Sequence, residues 1–426
     1  MKPKYKDFVL SMSYKNFLVE KTGVPKVMLA HQQMYLASGI SYAGLFWVKR
    51  RTFKGKILLY SEVGLILDGQ FRGVYQLSQA INRFVAWCAH GHRLADIHIH
   101  HLVLAELRQI DTILRTFDDV PIKVYLHDYY NACANLILMK NGKDYCGGKG
   151  LCQAYCGDCP DFAGSQRVQA NIHGMLNNFM PRITFVSPSK VTRNIFLNFH
   201  PEHAERTIVI PHQTFTHRYL GNLEPVAENE KIRVAYLGMP VYHKGWETWK
   251  RLVDIASQDQ YEFIVFNSVE ENYAGMEKVD VYFSEKNLNA MTQAMRDKKV
   301  HIAIMWSMCP ETYSYTCFEA YSANAMLITR TDSGNMEDMV TDYNCGLVLP
   351  SEEALLELFD DAGALRSKIN AYRMATQGGP ENMVENSQIV DITKAGAPDE
   401  RKRYKKLLCP VNYPLLHWLN KTYKSS

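Results

Sequence analysis

At 426 residues the chain is longer than one ordinary core organises, which predicts two or three domains. With 47% hydrophobic and 22% charged residues it excludes long disorder, and a net charge of +4 is too mild to demand a nucleic-acid partner. No run approaches the roughly 18 consecutive apolar residues of a membrane span. The opening MKPKYKDFVLSMSYKNF also lacks the apolar core of a signal peptide, so a cytoplasmic protein is expected.

In chain order, residues 1 to about 24 carry no clear pattern. KVMLAH (26–31) is the first strand-like run, and QQMYLASGISYAGLFWVKRR reads as a loop at Ser38-Gly39 leading into a helix. ILLYSE (57–62) is a short strand candidate, and 73–89 has helical apolar spacing. DIHIHHL, VYLHDYY, ITFVSPS and TIVIPH are further strands, separated largely by helical intervals. Residues 213–231 turn polar, with Gly221, Pro225 and a Glu-Asn-Glu cluster, and read as a linker. A second α/β set follows: IRVAYLG, the HKGWETWKRLVDIAS helix, YEFIVFN, VHIAIM and AMLITR. Strands alternating with helices predict two doubly wound, mostly parallel sheets. The expected boundaries are 1–220, with a cysteine-rich loop at 131–162, then 231–410. The tail 411–426 is a candidate helix crossing back to the first domain.

The densest chemistry lies between Cys309 and Asn335. Glu311 and Glu319 have seven residues between them and follow a buried-strand pattern. Glu311 is expected near the cap of the next helix and Glu319 in its body, some 80° round the axis. The free N–H groups of that helix's first turn, at Tyr313, Ser314, Tyr315 and Thr316, suit an anion. Upstream, GMPVYHKG puts Lys244 beside another helix start, where an ammonium and a helix N-terminus both attract a diphosphate.

This pairing, Glu311-x7-Glu319 with Lys244 upstream, resembles the signature of retaining glycosyltransferases of GT-B architecture. It is most similar to the bacterial group called glycosyltransferase family 4. The resemblance implies two Rossmann-like domains facing a central cleft, and transfer of a sugar from a nucleotide-sugar donor, of nucleoside diphosphate type, to a hydroxyl. In that reading Glu311 contacts the donor sugar and Glu319 the ribose hydroxyls, while Lys244 and the Ser314–Thr316 amides hold the diphosphate. His127, in VYLHDYY, would face the sugar, and Gly39 would belong to a phosphate-facing loop. No catalytic metal is expected. The family usually carries an arginine where Met239 stands, so either His243 or another cation compensates, or the donor is held differently. Similarity to surface-polysaccharide enzymes implies a glycan or lipid-linked acceptor, with peripheral contact at the inner membrane face. Rival readings are a catalytically inactive partner subunit and an epimerase or phosphorylase of the same architecture.

Two local features stand apart. Cys133, Cys146, Cys156 and Cys159, with Cys152 between them, fall within one short stretch, and Cys156-x2-Cys159 has metal-knuckle spacing. Structural zinc, free or redox-active thiols and disulfides are all open at this stage. YAGLFWVKRRTF (42–53) sets Leu45, Phe46 and Trp47 beside Lys49, Arg50 and Arg51, a candidate lipid contact whose rival is a core helix ending in a basic turn. His98, His100 and His101 read as strand-end residues rather than metal ligands, because His101 takes the opposite face.

Overall fold

The computed structural model describes residues 2–49, 59–218, 223–269, 273–284, 286–375, 381–398, 402–408 and 420. The first domain starts with β1 (Asp7–Ser13), α1 (Gly23–Ala37), β2 (Ile40–Lys49), β3 (Leu59–Leu67), β4 (Gln70–Gln76), α2 (Leu77–Ala89) and β5 (Arg93–Ile99). It continues with α3 (Leu107–Thr116), β6 (Ile122–Tyr125), β7 (Met139–Lys140), β8 (Asp144–Tyr145), α4 (Gln153–Cys156), α5 (Phe162–Leu176), β9 (Ile183–Ser187), α6 (Lys190–Phe199) and β10 (Thr207–Val209). Eight of these strands form one sheet in the order β10-β9-β6-β5-β1-β2-β3-β4. Its pairs are parallel except that β3 runs antiparallel to both β2 and β4.

After β11 (Gln213–Arg218) the second domain opens with β12 (Ile232–Leu237), α7 (Trp246–Ile255), β13 (Tyr261–Asn267), β14 (Met276–Asp280), α8 (Ala290–Asp297) and β15 (Ile302–Met305). Then come α9 (Tyr315–Ser322), β16 (Met326–Arg330), α10 (Asn335–Tyr343), β17 (Gly346–Leu349), α11 (Glu352–Leu358), α12 (Ala362–Ala375), β18 (Glu381–Glu385) and α13 (Gln388–Gly396). Its sheet, β14-β13-β12-β15-β16-β17, is parallel throughout. The central strands are buried on both faces, which is why they read as continuous apolar runs rather than alternating ones. Trp246 and Trp249 of α7 pack on Tyr236 of β12 and close one face of the core.

Several expectations are corrected. KVMLAH is not a strand but the interior of α1, which has Thr22 at its N-cap and Pro25 in its first turn. Pro25 to Gln32 are all buried, so the helix lacks the polar stripe that would mark its period. The loop expected at Ser38-Gly39 leads into strand β2 rather than a helix, and β1, within the stretch that carried no pattern, is the central strand between β5 and β2. Of 73–89, residues 77–89 are helix α2 as expected, but 73–76 belong to strand β4, residues 70–76. They return from β3 through Asp68-Gly69, both at positive φ, the backbone that a tight two-residue hairpin requires.

The expected linker carries β11, which pairs antiparallel with β18. The chain therefore crosses between domains twice at one place. α13 already lies on the first domain, where Tyr35 bonds Thr393 (2.7 Å) and the Ile389 carbonyl. Leu407 exchanges hydrogen bonds with the Asn82 side chain, and Tyr404 donates to Asp119. The crossing back thus begins some thirty residues before the tail that was assigned to it. That tail, 411–426, lies outside the described residues apart from Asn420, whose side chain bonds the backbone of Val74. Leu45, Phe46 and Trp47 are buried in β2, so they offer no lipid-facing patch; Arg50 and Arg51 lie outside the described residues.

Candidate functional site in the interdomain cleft

Two glycines bring the second domain's loops together. Gly334 sits at φ +71, and a Cβ there would lie 2.6 Å from the Glu311 backbone nitrogen. Its absence lets Glu311 form a one-residue bridge: the Glu311 N–H donates to Ser333 (3.0 Å) and the Asn335 N–H donates to the Glu311 carbonyl (2.9 Å). Gly245, at φ +79, packs where a Cβ would run into the Trp306 carbonyl. That close approach sets the turn carrying Lys244 against the loop carrying Glu311. The Lys244 ammonium meets Glu311 Oε1 at 2.5 Å, and the Ser307 hydroxyl donates to the same oxygen at 2.9 Å.

Glu311 is not the helix cap. Ser314 caps α9, its hydroxyl accepting from the Cys317 N–H, so Glu311 stands in the loop three residues earlier. Glu319 lies within α9 and is 4% exposed. Its Oε1 receives the ammonium of Lys26, at 2.5 Å, from the first domain. Burial raises the Glu319 pKa, and the charge and hydrogen bond of Lys26 pull it back. The same ammonium lies 4.7 Å from the centre of the Tyr315 ring.

These groups surround a cavity of about 340 Å³ between the domains. Lys21, Thr22, Gly23 and Lys26 line it from the first domain; Met239, Lys244, Glu311, Glu319 and Ser314 to Thr316 are among its second-domain walls. The carboxyl ends of β12, β13 and β15 reach it, the usual ligand position in open α/β folds. Gly39 is elsewhere, between the C-terminus of α1 and β2, and the loop of this region that does line the cavity is 21–23, at the other end of α1. That loop was missed because α1 was read as a strand; Thr22-Gly23 followed by Pro25 was the available signal.

His127 does not line the cavity. It is half-buried, its ring stacks on Tyr125 and His100, and its Nε2 lies 2.9 Å from His100 Nδ1. Burial, with His212, His101 and His31 nearby, lowers its pKa well below the usual value, so it is neutral near pH 7. Its carbonyl accepts from the Thr312 hydroxyl at 2.7 Å, which fastens the Glu311 loop to the first domain. Asp128 caps the following turn through the Tyr130 N–H (2.9 Å), and burial pushes its pKa up to about 6. His243 is half-buried and absent from the cavity wall; its carbonyl braces Met308 and Ser307.

Away from the cleft, Cys133, Cys146, Cys156 and Cys159 line one small void of about 30 Å³. Cys133 contacts the Ser165 hydroxyl (3.2 Å), and no described cysteine is in a disulfide. Among the described residues, the sets of three whose ligand atoms lie within 4.8 Å of one another are His31, His98, His100 and His173, His200, His203; the cysteines are not among them.

No known family profile matches the chain, and no curated protein does. Solved structures do. Sucrose-phosphate synthase from Thermosynechococcus elongatus aligns over 91% of this chain and 97% of its own, with TM-score 0.51 and 12% identity. Anabaena HepE in complex with UDP and glucose aligns over 91% and 98%, with TM-score 0.52 and 12% identity. The catalytic domain of Arabidopsis thaliana starch synthase IV, bound to ADP and acarbose, aligns over 92% and 98%, with TM-score 0.51 and 13% identity. No helix among the described residues is long and apolar enough to cross a membrane. Two Rossmann-like domains enclosing one cleft, matched over nine-tenths of the chain, make this a GT-B fold.

Proposed function

We propose that the chain is a glycosyltransferase that moves a sugar from a nucleoside-diphosphate donor to a hydroxyl with retention of anomeric configuration. The observation that carries this reading is the matched arrangement of Lys244 with Glu311 and Lys26 with Glu319 on the walls of one cavity. Transfer must stabilise a departing diphosphate and an oxocarbenium-like centre. Preorganised charge does both without reorganisation at the moment of reaction. Lys244 and the first-turn amides of α9 take the diphosphate, Glu311 faces the sugar and Glu319 the ribose hydroxyls. His127 acts through Thr312, holding the Glu311 loop against the first domain. Nucleotides bound to HepE and to starch synthase IV support the donor class. A glycan or lipid-linked acceptor of surface-polysaccharide type follows from the sequence resemblance.

Thermal unfolding with a panel of nucleoside diphosphates and their sugars tests the donor. A ligand at about a hundred dissociation constants adds roughly 2.7 kcal/mol, a clear rise in melting temperature. No shift with any of them would remove the reading. Donor turnover measured with acceptors, with phosphate and with neither separates transfer from phosphorolysis, epimerisation and an inactive partner.

The four-cysteine loop is proposed to hold a structural zinc ion. Four thiols around one ion-sized void match the preference of that metal, although ligation requires the loop to tighten. The zinc would pin 131–162 beside the short helical turn at Tyr129–Asn131 that follows His127, with no part in the chemistry. Protein purified without added metal should contain about one zinc per chain, and Cys156→Ser or Cys159→Ser should lose it and melt lower. Metal-free protein of equal stability would leave the loop a set of thiols.

A further inference from the structure

The cleft's charge inventory assigns a role to Lys26. Among the described residues that line the cavity, the cations are Lys21, Lys26 and Lys244, and the carboxylates are Glu311 and Glu319. The excess is positive, as an anionic ligand requires. Met239, at the turn where a cation was expected, is neutral and half exposed, and His243 does not reach the cavity wall. Lys244 is then the second domain's sole ammonium among the described lining residues.

Lys26 comes from the opposite wall. It sits in the first turn of α1, next to Lys21, Thr22 and Gly23 of the same wall. Its side chain is 4% exposed, and an ammonium so buried is retained only with a partner. Glu319 is that partner, 293 residues away in sequence, and the Tyr315 and Phe283 rings flank the charge. An ammonium has three donors and a carboxylate has two oxygens, so the 2.5 Å contact leaves capacity on both sides. In any nucleoside diphosphate the ribose and its first phosphate are covalent neighbours. A carboxylate for ribose hydroxyls beside an ammonium for phosphate matches that adjacency.

We propose that Lys26 is the second diphosphate cation of the donor site, supplied by the first domain in place of the one lacking at Met239 and held there by Glu319. This rests on the donor reading above. One ligand bound by both pairs would also bridge the domains.

The test compares UDP and ADP with uridine and adenosine by calorimetry. Lys26→Met should weaken the diphosphates roughly tenfold to a hundredfold, the effect of one charge-assisted contact, and change the nucleosides little. Lys26→Arg should retain most diphosphate affinity, and adding Met239→Arg to Lys26→Met should restore part of it. If Lys26→Met fails to fold, Lys26→Met/Glu319→Gln removes both buried charges, and its diphosphate-to-nucleoside affinity ratio reads the same quantity. Equal losses for diphosphate and nucleoside would make Lys26 only a holder of Glu319 and overturn the proposal, as would unchanged diphosphate affinity. Wild-type protein that binds nucleosides and diphosphates equally would also overturn it. Wild-type protein that binds neither would sink the donor reading itself.

Discussion

Glu311→Gln is expected to bind the free nucleoside diphosphate about as well as wild type while losing transfer by on the order of a hundredfold to a thousandfold. The amide keeps the shape of the carboxylate, and its oxygen can still accept from Ser307, so the bridge to Gly334 and the loop geometry should survive. What disappears is the negative charge that the proposed function directs at the sugar. Lys244, no longer neutralised at 2.5 Å, stays available to phosphate, so ground-state affinity holds or rises slightly. The effect therefore belongs to turnover rather than to nucleotide binding. Nucleotide titration alongside initial rates separates the two. Normal transfer rates would take Glu311 out of the chemistry, and parallel loss of binding and rate would make it a nucleotide contact instead.

Acidification should unfold the chain steeply below pH 6.5. His31, His98, His100 and His101 lie buried, and His127 and His212 half-buried, near the cleft end of the first domain. Burial lowers His98, His101 and His212 to about 3 and the other three well below their ordinary value. A depressed folded-state pKa means stability that is present above about 6.5 and lost as pH falls, because the unfolded chain takes protons that the folded chain refuses. Each such histidine removes up to about 1.4 kcal/mol per pH unit, so even three remove about 4. Carboxyls with raised pKa values act the other way: Glu319, Asp338, Glu385, raised to about 7, and Asp128, raised to about 6, add stability as pH falls towards their unfolded values. The histidines outnumber them, so the net slope is destabilising. Melting temperatures measured from pH 7.5 to 5.0 should fall sharply below 6.5. A flat or rising profile would mean that the histidines are protonated and accommodated in the folded state.

The second domain was legible in the sequence because its strands are short apolar runs bounded by glycine turns and helices of clear period. IRVAYLG, YEFIVFN, VHIAIM and AMLITR all became strands of one parallel sheet. Glu311 and Lys244 could be singled out there, since the turns that carry them follow strand ends, and Glu319, within α9, by its spacing from Glu311. The first domain's opening resisted the same reading. α1 is buried nearly all round and β2 on both faces, so neither shows the polar alternation by which period is recognised. That error put the loop expected at the cleft at Gly39, whereas Lys21-Thr22-Gly23 lines the cavity. The choice of Lys26 as partner for Glu319, the bond from the Thr312 hydroxyl to the His127 carbonyl, and the return of the chain at β11 and β18 were settled by tertiary structure. Each depends on which surfaces meet when the two domains pack. Spacing along a chain carries periodicity and turn chemistry, but an ion pair across 293 residues is selected by burial, which exists only once both walls of the cleft are in place.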